Sequence, residues 1–263
     1  MSIKRGTANS LAAPPPQPAK KHGFMPTTET HTILDTSLLP RASPPPFKTH
    51  RIGGAMIWFT SDTHFGHERI LDFTNRPFGS IREMNDALIA NINEKVKPED
   101  ELYILGDYSF KMTAADAADL RRNIKCKKVH LIPGNHDKDW NQPAVAGIFI
   151  VEPHVCTLRQ DKKKLALCHF PMADWPAMSH GSIHLHGHIH SEGHAYNEIN
   201  RMQGLYRFDV GVDANGYSPV SLEEILNWFS GIECNGRAKW PNWVNATGSK
   251  QAARKLAGIK LGN

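Results

Sequence analysis

Apolar positions are spaced differently in different parts of the chain. Residues 1–55 have little apolar periodicity and contain Pro14-Pro15-Pro16 and Pro44-Pro45-Pro46. Such a segment cannot bury enough surface to offset its ordering entropy, so disorder with polyproline-like stretches is expected there. The pattern changes at Met56-Ile57-Trp58-Phe59-Thr60, a short apolar run that reads as a strand. Met84–Lys95 reads as a helix, with Leu88, Ile89 and Ile92 on one face and a capping box offered by Ser80 and Glu83. Leu102–Leu105 reads as a buried strand, Thr113–Ile124 as an Ala-rich helix and Val129–Ile132 as the next strand. His154–Arg159 and Leu165–Cys168 suggest a hairpin around Asp161-Lys162-Lys163-Lys164. Ser182–Leu185 and Tyr206–Val210 read as further strands, and Ser221–Phe229 as a helix. Strands alternating with helices first, then hairpins, predict an α/β sandwich of mixed sheets.

The 263 residues suffice for one large domain with a sizeable core, here expected over 56–234. No apolar run approaches the ~20 residues needed to span a bilayer, so no membrane association is expected. No apolar stretch follows Met1-Ser2-Ile3-Lys4-Arg5, which argues against a secretory signal. Cys126, Cys156, Cys168 and Cys234 form no Cys-x-x-Cys pair, and a cytoplasmic chain with reduced thiols is the simpler reading.

The net charge of +5 hides an uneven distribution. Residues 1–55 hold seven Lys/Arg against two acids, and residues 235–263 hold six against none. The middle, 56–234, holds 18 Lys/Arg against 24 acids. Basic ends could attract nucleic acid, with Trp240 and Trp243 as stacking groups, or serve only as solvated tails.

Five short polar segments carry the chemistry. They are Asp62-Thr63-His64, Gly106-Asp107, Gly134-Asn135-His136-Asp137, His169 and Gly187-His188-Ile189-His190. Asp62, Asp107 and Asn135 each follow a predicted strand and His169 ends one, which brings them to the edge where layered α/β folds bind ligands. A mixed Asp/Asn/His donor set suits Mn, Fe, Zn or Ni and disfavours calcium. Two such ions about 3.5–4 Å apart clamp a displacement at phosphorus, which points to a metal-dependent phosphoesterase.

The ordered set Asp-x-His, Gly-Asp, Gly-Asn-His-Asp, His and Gly-His-x-His resembles the calcineurin-like metallophosphoesterase superfamily over residues 56–230. The resemblance implies a four-layer α-β-β-α sandwich of mixed sheets with a dimetal site at the carboxyl ends of strands. It implies that Asp62, His64 and His190 hold one ion, that Asn135, His169 and His188 hold the other, and that Asp107 bridges both. Manganese is the metal expected to serve best in vitro. His136 would protonate the leaving oxygen or stabilise its charge, with Asp137 orienting it. The nucleophile implied is a water or hydroxide between the ions, and the partner is a phosphoester substrate.

Departures narrow the resemblance. The segments Gly106-Asp107-Tyr108-Ser109-Phe110 and Gly134-Asn135-His136-Asp137-Lys138 lack the phosphate-clamping arginines of the protein Ser/Thr phosphatases. The stretch Thr60–His67, then Asn75-Arg76-Pro77-Phe78 and Gly211-Val212-Asp213-Ala214, resembles small stand-alone phosphoesterases of bacteria and phages. His67, three residues past His64, could reach substrate phosphate, and Arg76 could clamp a phosphate oxygen; for both, an internal hydrogen bond or salt bridge is equally open. His184 and His186 could be plain packing. Two further functions stay open: a nuclease or cyclic-nucleotide phosphodiesterase, and a non-catalytic protein-binding scaffold.

Overall fold

The computed structural model describes residues 54–160 and 162–234. Apart from Gly54 and Ala55, the expected proline-rich extension over 1–55 lies outside the described residues, as does the basic tail over 235–263 with Trp240 and Trp243.

The run at Ile57–Thr60 forms strand β1. Two helices follow, the short α1 (Ile70–Phe73) and the long α2 (Ile81–Lys95). Ser80 caps α2 by accepting from the Glu83 N–H. The expected box is only half made, because the Glu83 carboxylate accepts from Gly79 N instead. Met84, Leu88, Ile89 and Ile92 give α2 its buried face, at the spacing the sequence predicts. Then come β2 (Glu101–Ile104), α3 (Ala114–Arg122, capped by Thr113), β3 (Lys128–Leu131) and β4 (Ile150–Val151). The hairpin is present as β5 (Val155–Gln160) and β6 (Lys163–Cys168), paired antiparallel. β7 (Ile183–His186), α4 (Ala195–Met202), β8 (Arg207–Asp209), β9 (Val220–Ser221) and α5 (Leu222–Trp228) complete the order. Ser221 and Glu224 make a full capping box at α5.

Helix α4 has no counterpart in the hydrophobic pattern, for a physical reason. Its buried side chains are Asn197 and Asn200, while Ile199 and Met202 face solvent. Asn197 exchanges hydrogen bonds with the backbone of Asp209, so polar pairing holds the helix to β8.

Both sheets are mixed. The first runs β4-β3-β2-β1-β9, parallel except for β9. The second runs β5-β6-β7-β8, parallel except for β5. Alternation sorts side chains between two cores. Trp58, Leu102 and Ile104 face α2 and α3. Phe59, Tyr103 and Leu105 face the second sheet, where they meet Leu165, Leu167, Leu185 and Phe208. Beyond the second sheet, Trp175 and Met178 pack on Ala166, and Tyr196 of α4 meets His186. The order of layers is helices, sheet, sheet, helix. Phe59 is fully buried between the sheets, so Phe59→Ala is expected to cost about 3–5 kcal/mol.

The parallel register matters most for the site. Thr60, Ile104 and Leu131 lie at equivalent ends of neighbouring strands, so the loops after β1, β2 and β3 leave from one edge. No helix among the described residues is long and apolar enough to cross a membrane. All four cysteines are unpaired.

Candidate metal centre

The loops at this edge turn sharply. Asp62, His64, Asp107, His188 and His190 all have positive φ, between 47° and 74°. Such a conformation costs an L-residue roughly 1 kcal/mol or more, so something must hold it. Backbone hydrogen bonds tie the first two loops together: Asp62 N to Gly106 O (3.1 Å), His64 N to Asp107 O (3.0 Å) and Phe65 N to Tyr108 O (2.9 Å). Glycine is required where loops cross closely. A Cβ on Gly134 would strike Asp107 Oδ1, and one on Gly187 would strike Ser61 Oγ and Asp62 Oδ2.

These turns gather two clusters. Asp62, His64 and His190 form one, and Asp107, His169 and His188 form the other. Asn135 joins the second, its Oδ1 lying 3.1 Å from His169 Nε2. Asp107 stands between them. Its Oδ2 is 3.5 Å from His64 Nε2 and 3.5 Å from His169 Nε2. The second sheet joins the first here, through His169 Nδ1 donating to Leu105 O (2.8 Å), while Gly187 N donating to His169 O (3.0 Å) ties together the loops after β6 and β7.

The bond to Leu105 tests whether the site fits a metal. A carbonyl only accepts, so Nδ1 of His169 carries the proton and Nε2 presents a lone pair. The lone pair faces Asn135 Oδ1 and Asp107 Oδ2, both acceptors, with His188 Nδ1 3.2 Å away. His190 repeats the arrangement. Its Nδ1 pairs with Asp213 Oδ2 at 2.7 Å, leaving Nε2 aimed at His64 Nε2 (3.2 Å) and Asp62 Oδ1 (4.0 Å). An imidazole held by a carbonyl or carboxylate through one nitrogen while the other points at a cluster of acceptors is the outer-shell pattern of metal-binding histidines. Ring nitrogens and carboxylate oxygens converge at each cluster, and a cation at each focus would be held by their lone pairs.

Electrostatics agree. Burial pushes the Asp62 carboxyl up to about 6, a penalty on its charged form that a bound cation would lift. Burial holds His64 well below its ordinary range, keeping it neutral and able to donate a lone pair. Burial alone would raise Asp107, but His169 beside it, the backbone N–H of His136 and the neighbouring His64 outweigh burial and hold that carboxyl below its ordinary range. Oxygen and imidazole donors without thiolate fit divalent transition metals.

A cleft of about 640 Å³ opens beside the first cluster, with His64, His190, His136 and His67 in its wall. The ring of His136 lies 5.6 Å from that of His64 and meets Phe110 edge-on at 4.8 Å.

Comparison with known proteins gives this edge a lineage. The family model described as calcineurin-like phosphoesterase matches residues 55–192, just over half of the chain. The chain belongs to the calcineurin-like phosphoesterase family. This calcineurin-like phosphoesterase is 32% identical to an uncharacterized protein of Methanocaldococcus jannaschii over 170 residues, covering 65% of this chain and 89% of the relative. It is 31% identical to the Gene 66 protein of Mycobacterium phage L5 over 197 residues, covering 65% of this chain and 92% of that one. Among solved structures it resembles a protein of unknown function from Aquifex aeolicus, with a TM-score of 0.52 and 26% identity over 65% of this chain and 97% of that one.

Two expectations for the site of this calcineurin-like phosphoesterase need correction. Arg76 does not face the cleft. Its five N–H groups go to both oxygens of Asp213, to the carbonyls of Asp62 and Thr63, and to Met84 Sδ, leaving none for a phosphate. Asp137 does not orient the His136 ring. Its carboxylate accepts from the backbone N–H of Gly134, Asp107 and Tyr108, at 2.8, 2.8 and 3.0 Å, and so pins two loops together. A carboxylate at that position offers more to three converging N–H groups than to one exposed imidazole.

Asp213 is a residue of this site whose contact with His190 sequence reasoning passed over. It sits in Gly211-Val212-Asp213-Ala214, already visible as part of the resemblance, but nothing local assigns it to His190. His184 and His186 are fully buried, and each bonds main-chain groups of its own sheet region.

Proposed function

We propose that the protein hydrolyses phosphoesters with two divalent cations, manganese being the one expected to serve best in vitro. Asp62, His64 and His190 would hold one ion, and Asn135, His169 and His188 the other, with Asp107 shared. The observation that carries this reading is the position of Asp107 Oδ2, equidistant at 3.5 Å from a histidine of each cluster. When bound, two such ions polarise the phosphoryl group and activate a water for in-line attack.

The side chains supply the rest. His136 is exposed at the cleft wall, so it can give its proton to the leaving oxygen as the P–O bond breaks. Its place is set by its own N–H, which donates to Asp107 Oδ1 at 3.0 Å, and by the ring contact with Phe110. Asp137 acts one step back, by fixing the loops that carry Asp107 and Asn135. His67 stands in the cleft wall 5.4 Å from the His64 ring, within reach of a substrate oxygen. A binding scaffold on this fold would have no use for five strained backbone positions that aim donors at two points.

The test is hydrolysis of p-nitrophenyl phosphate and bis-p-nitrophenyl phosphate with manganese added. Turnover of either supports the reading, and its preference sorts monoesterase from diesterase. No turnover of both, with manganese bound, overturns it.

A further inference from the structure

The cleft beside the first cluster has more than polar character. Phe110 lies against His67 with ring centroids 4.2 Å apart, and His67 meets Phe73 at 6.1 Å. With His136 and His64, these rings make a continuous aromatic wall from a proposed metal ligand outward. It ends at Phe73, which is 60% exposed and so leaves apolar ring surface open to a ligand in the cleft. Arg69 lies over Phe73 at 4.5 Å and Lys111 over Phe110 at 5.3 Å, so a cation flanks each outer ring. Glu192 is the one acidic side chain in the cleft lining.

Aromatic faces alternating with cations form the platform on which bases of a nucleic-acid strand stack while neighbouring phosphates meet Arg or Lys. Among the described residues, Arg76 is committed internally and Arg69 stands over Phe73 at the outer end of the wall, so neither is offered to a doubly charged terminal phosphate at the clusters, which favours the singly charged phosphodiester. Resting on the phosphoesterase reading above, we propose that the cleft is a nucleobase subsite: the substrate is a nucleoside-bearing phosphodiester whose base stacks on Phe110 and Phe73, with the next phosphate at Arg69 and Lys111.

The test uses the full chain in chelator, where hydrolysis is prevented, and reads fluorescence anisotropy. A labelled thymidine pentanucleotide is compared with an abasic pentamer of equal charge, which cancels the charge of the basic ends; replacing Phe73 and Phe110 separates stacking in the cleft from stacking on Trp240 and Trp243. The base-bearing strand is expected to bind at least about fivefold more tightly, in keeping with the worth of one base–aromatic stack. Phe73→Ala and Phe110→Ala should each shrink that ratio towards one; Phe73 is exposed enough for its replacement to leave the fold intact. Equal binding of both strands, or a ratio untouched by both replacements, overturns the subsite. Concentration-dependent dimerisation that Phe73→Ala abolishes would make this face a contact between copies and also overturn it. A parallel assay of the manganese-loaded chain on p-nitrophenyl phosphate and methyl p-nitrophenyl phosphate keeps the two readings apart: failure on both sinks the phosphoesterase reading, whereas the strand comparison reads the subsite alone.

Discussion

Arg76 and Asp213 form a two-point ion pair, with Nε to Oδ1 and Nη2 to Oδ2 both at 2.8 Å and both side chains buried. The pair supports the first cluster from behind. Asp213 Oδ2 also accepts from His190 Nδ1, and Arg76 Nη2 grips the carbonyl of Asp62, whose φ is positive. Burial alone would raise the Asp213 carboxyl, but the hydrogen bonds from His190 and Arg76 hold it below the usual carboxylate range.

A lysine cannot reproduce this fork. Arg76→Lys is expected to weaken manganese binding by about 10–100-fold, as loss of an outer-shell partner does. Arg76→Ala strands a buried carboxylate and should destabilise the fold by about 3–5 kcal/mol. Titration calorimetry and urea denaturation read the two effects. Unchanged manganese affinity in Arg76→Lys would remove Arg76 from any positioning role.

Asp107→Asn should lose more activity than Asn135→Ala. Asp107 touches both clusters, while Asn135 approaches only His169. Bound metal should fall from two ions per chain to one or fewer for Asp107→Asn, and to no fewer than one for Asn135→Ala. Elemental analysis that finds two ions in Asp107→Asn would end its assignment as the shared ligand.

The gathering of the candidate residues at one edge could be read from the sequence because most of them sit beside an apolar run. Ile57–Thr60, Glu101–Ile104 and Lys128–Leu131 are strands in parallel register, so polar residues just after them had to meet. Side-chain direction was not legible. Nothing in Asn75-Arg76-Pro77 says that the guanidinium turns inward, because its partner Asp213 lies 137 residues away. Asp137 misled for a similar reason, since its three N–H donors lie on loops that only the fold brings together. Helix α4 went unseen because it buries asparagines.

His136→Ala should keep both metals and yet lose activity unevenly. General acid help is worth about 10²–10⁴-fold, and most when the leaving group is poor. The loss should therefore be far larger on an alkyl phosphodiester than on a p-nitrophenyl ester, whose phenolate leaves unaided. Equal losses on both would assign His136 to substrate positioning.

Acid stability gives a test away from the ligands. Burial pushes His184 down to about 4 from an ordinary 6.5, and its Nε2 accepts from Met172 N, so it is held neutral. The unfolded chain binds that proton first, so stability is lost as pH falls from about 6.5 towards 4. Between pH 7 and 5 this one group should remove about 2 kcal/mol. Urea denaturation of chelator-treated protein at both values should show that drop, and His184→Gln should shrink it by a similar amount. An equal drop in the variant would mean that other groups carry the acid sensitivity.

The most direct measurement is metal content and hydrolysis of bis-p-nitrophenyl phosphate followed together on one sample, first stripped with EDTA and then titrated with manganese. Activity should vanish on stripping and return in step with binding, levelling off at two ions per chain. Full activity in the metal-free sample, or saturation with no bound metal, would contradict a dimetal phosphoesterase.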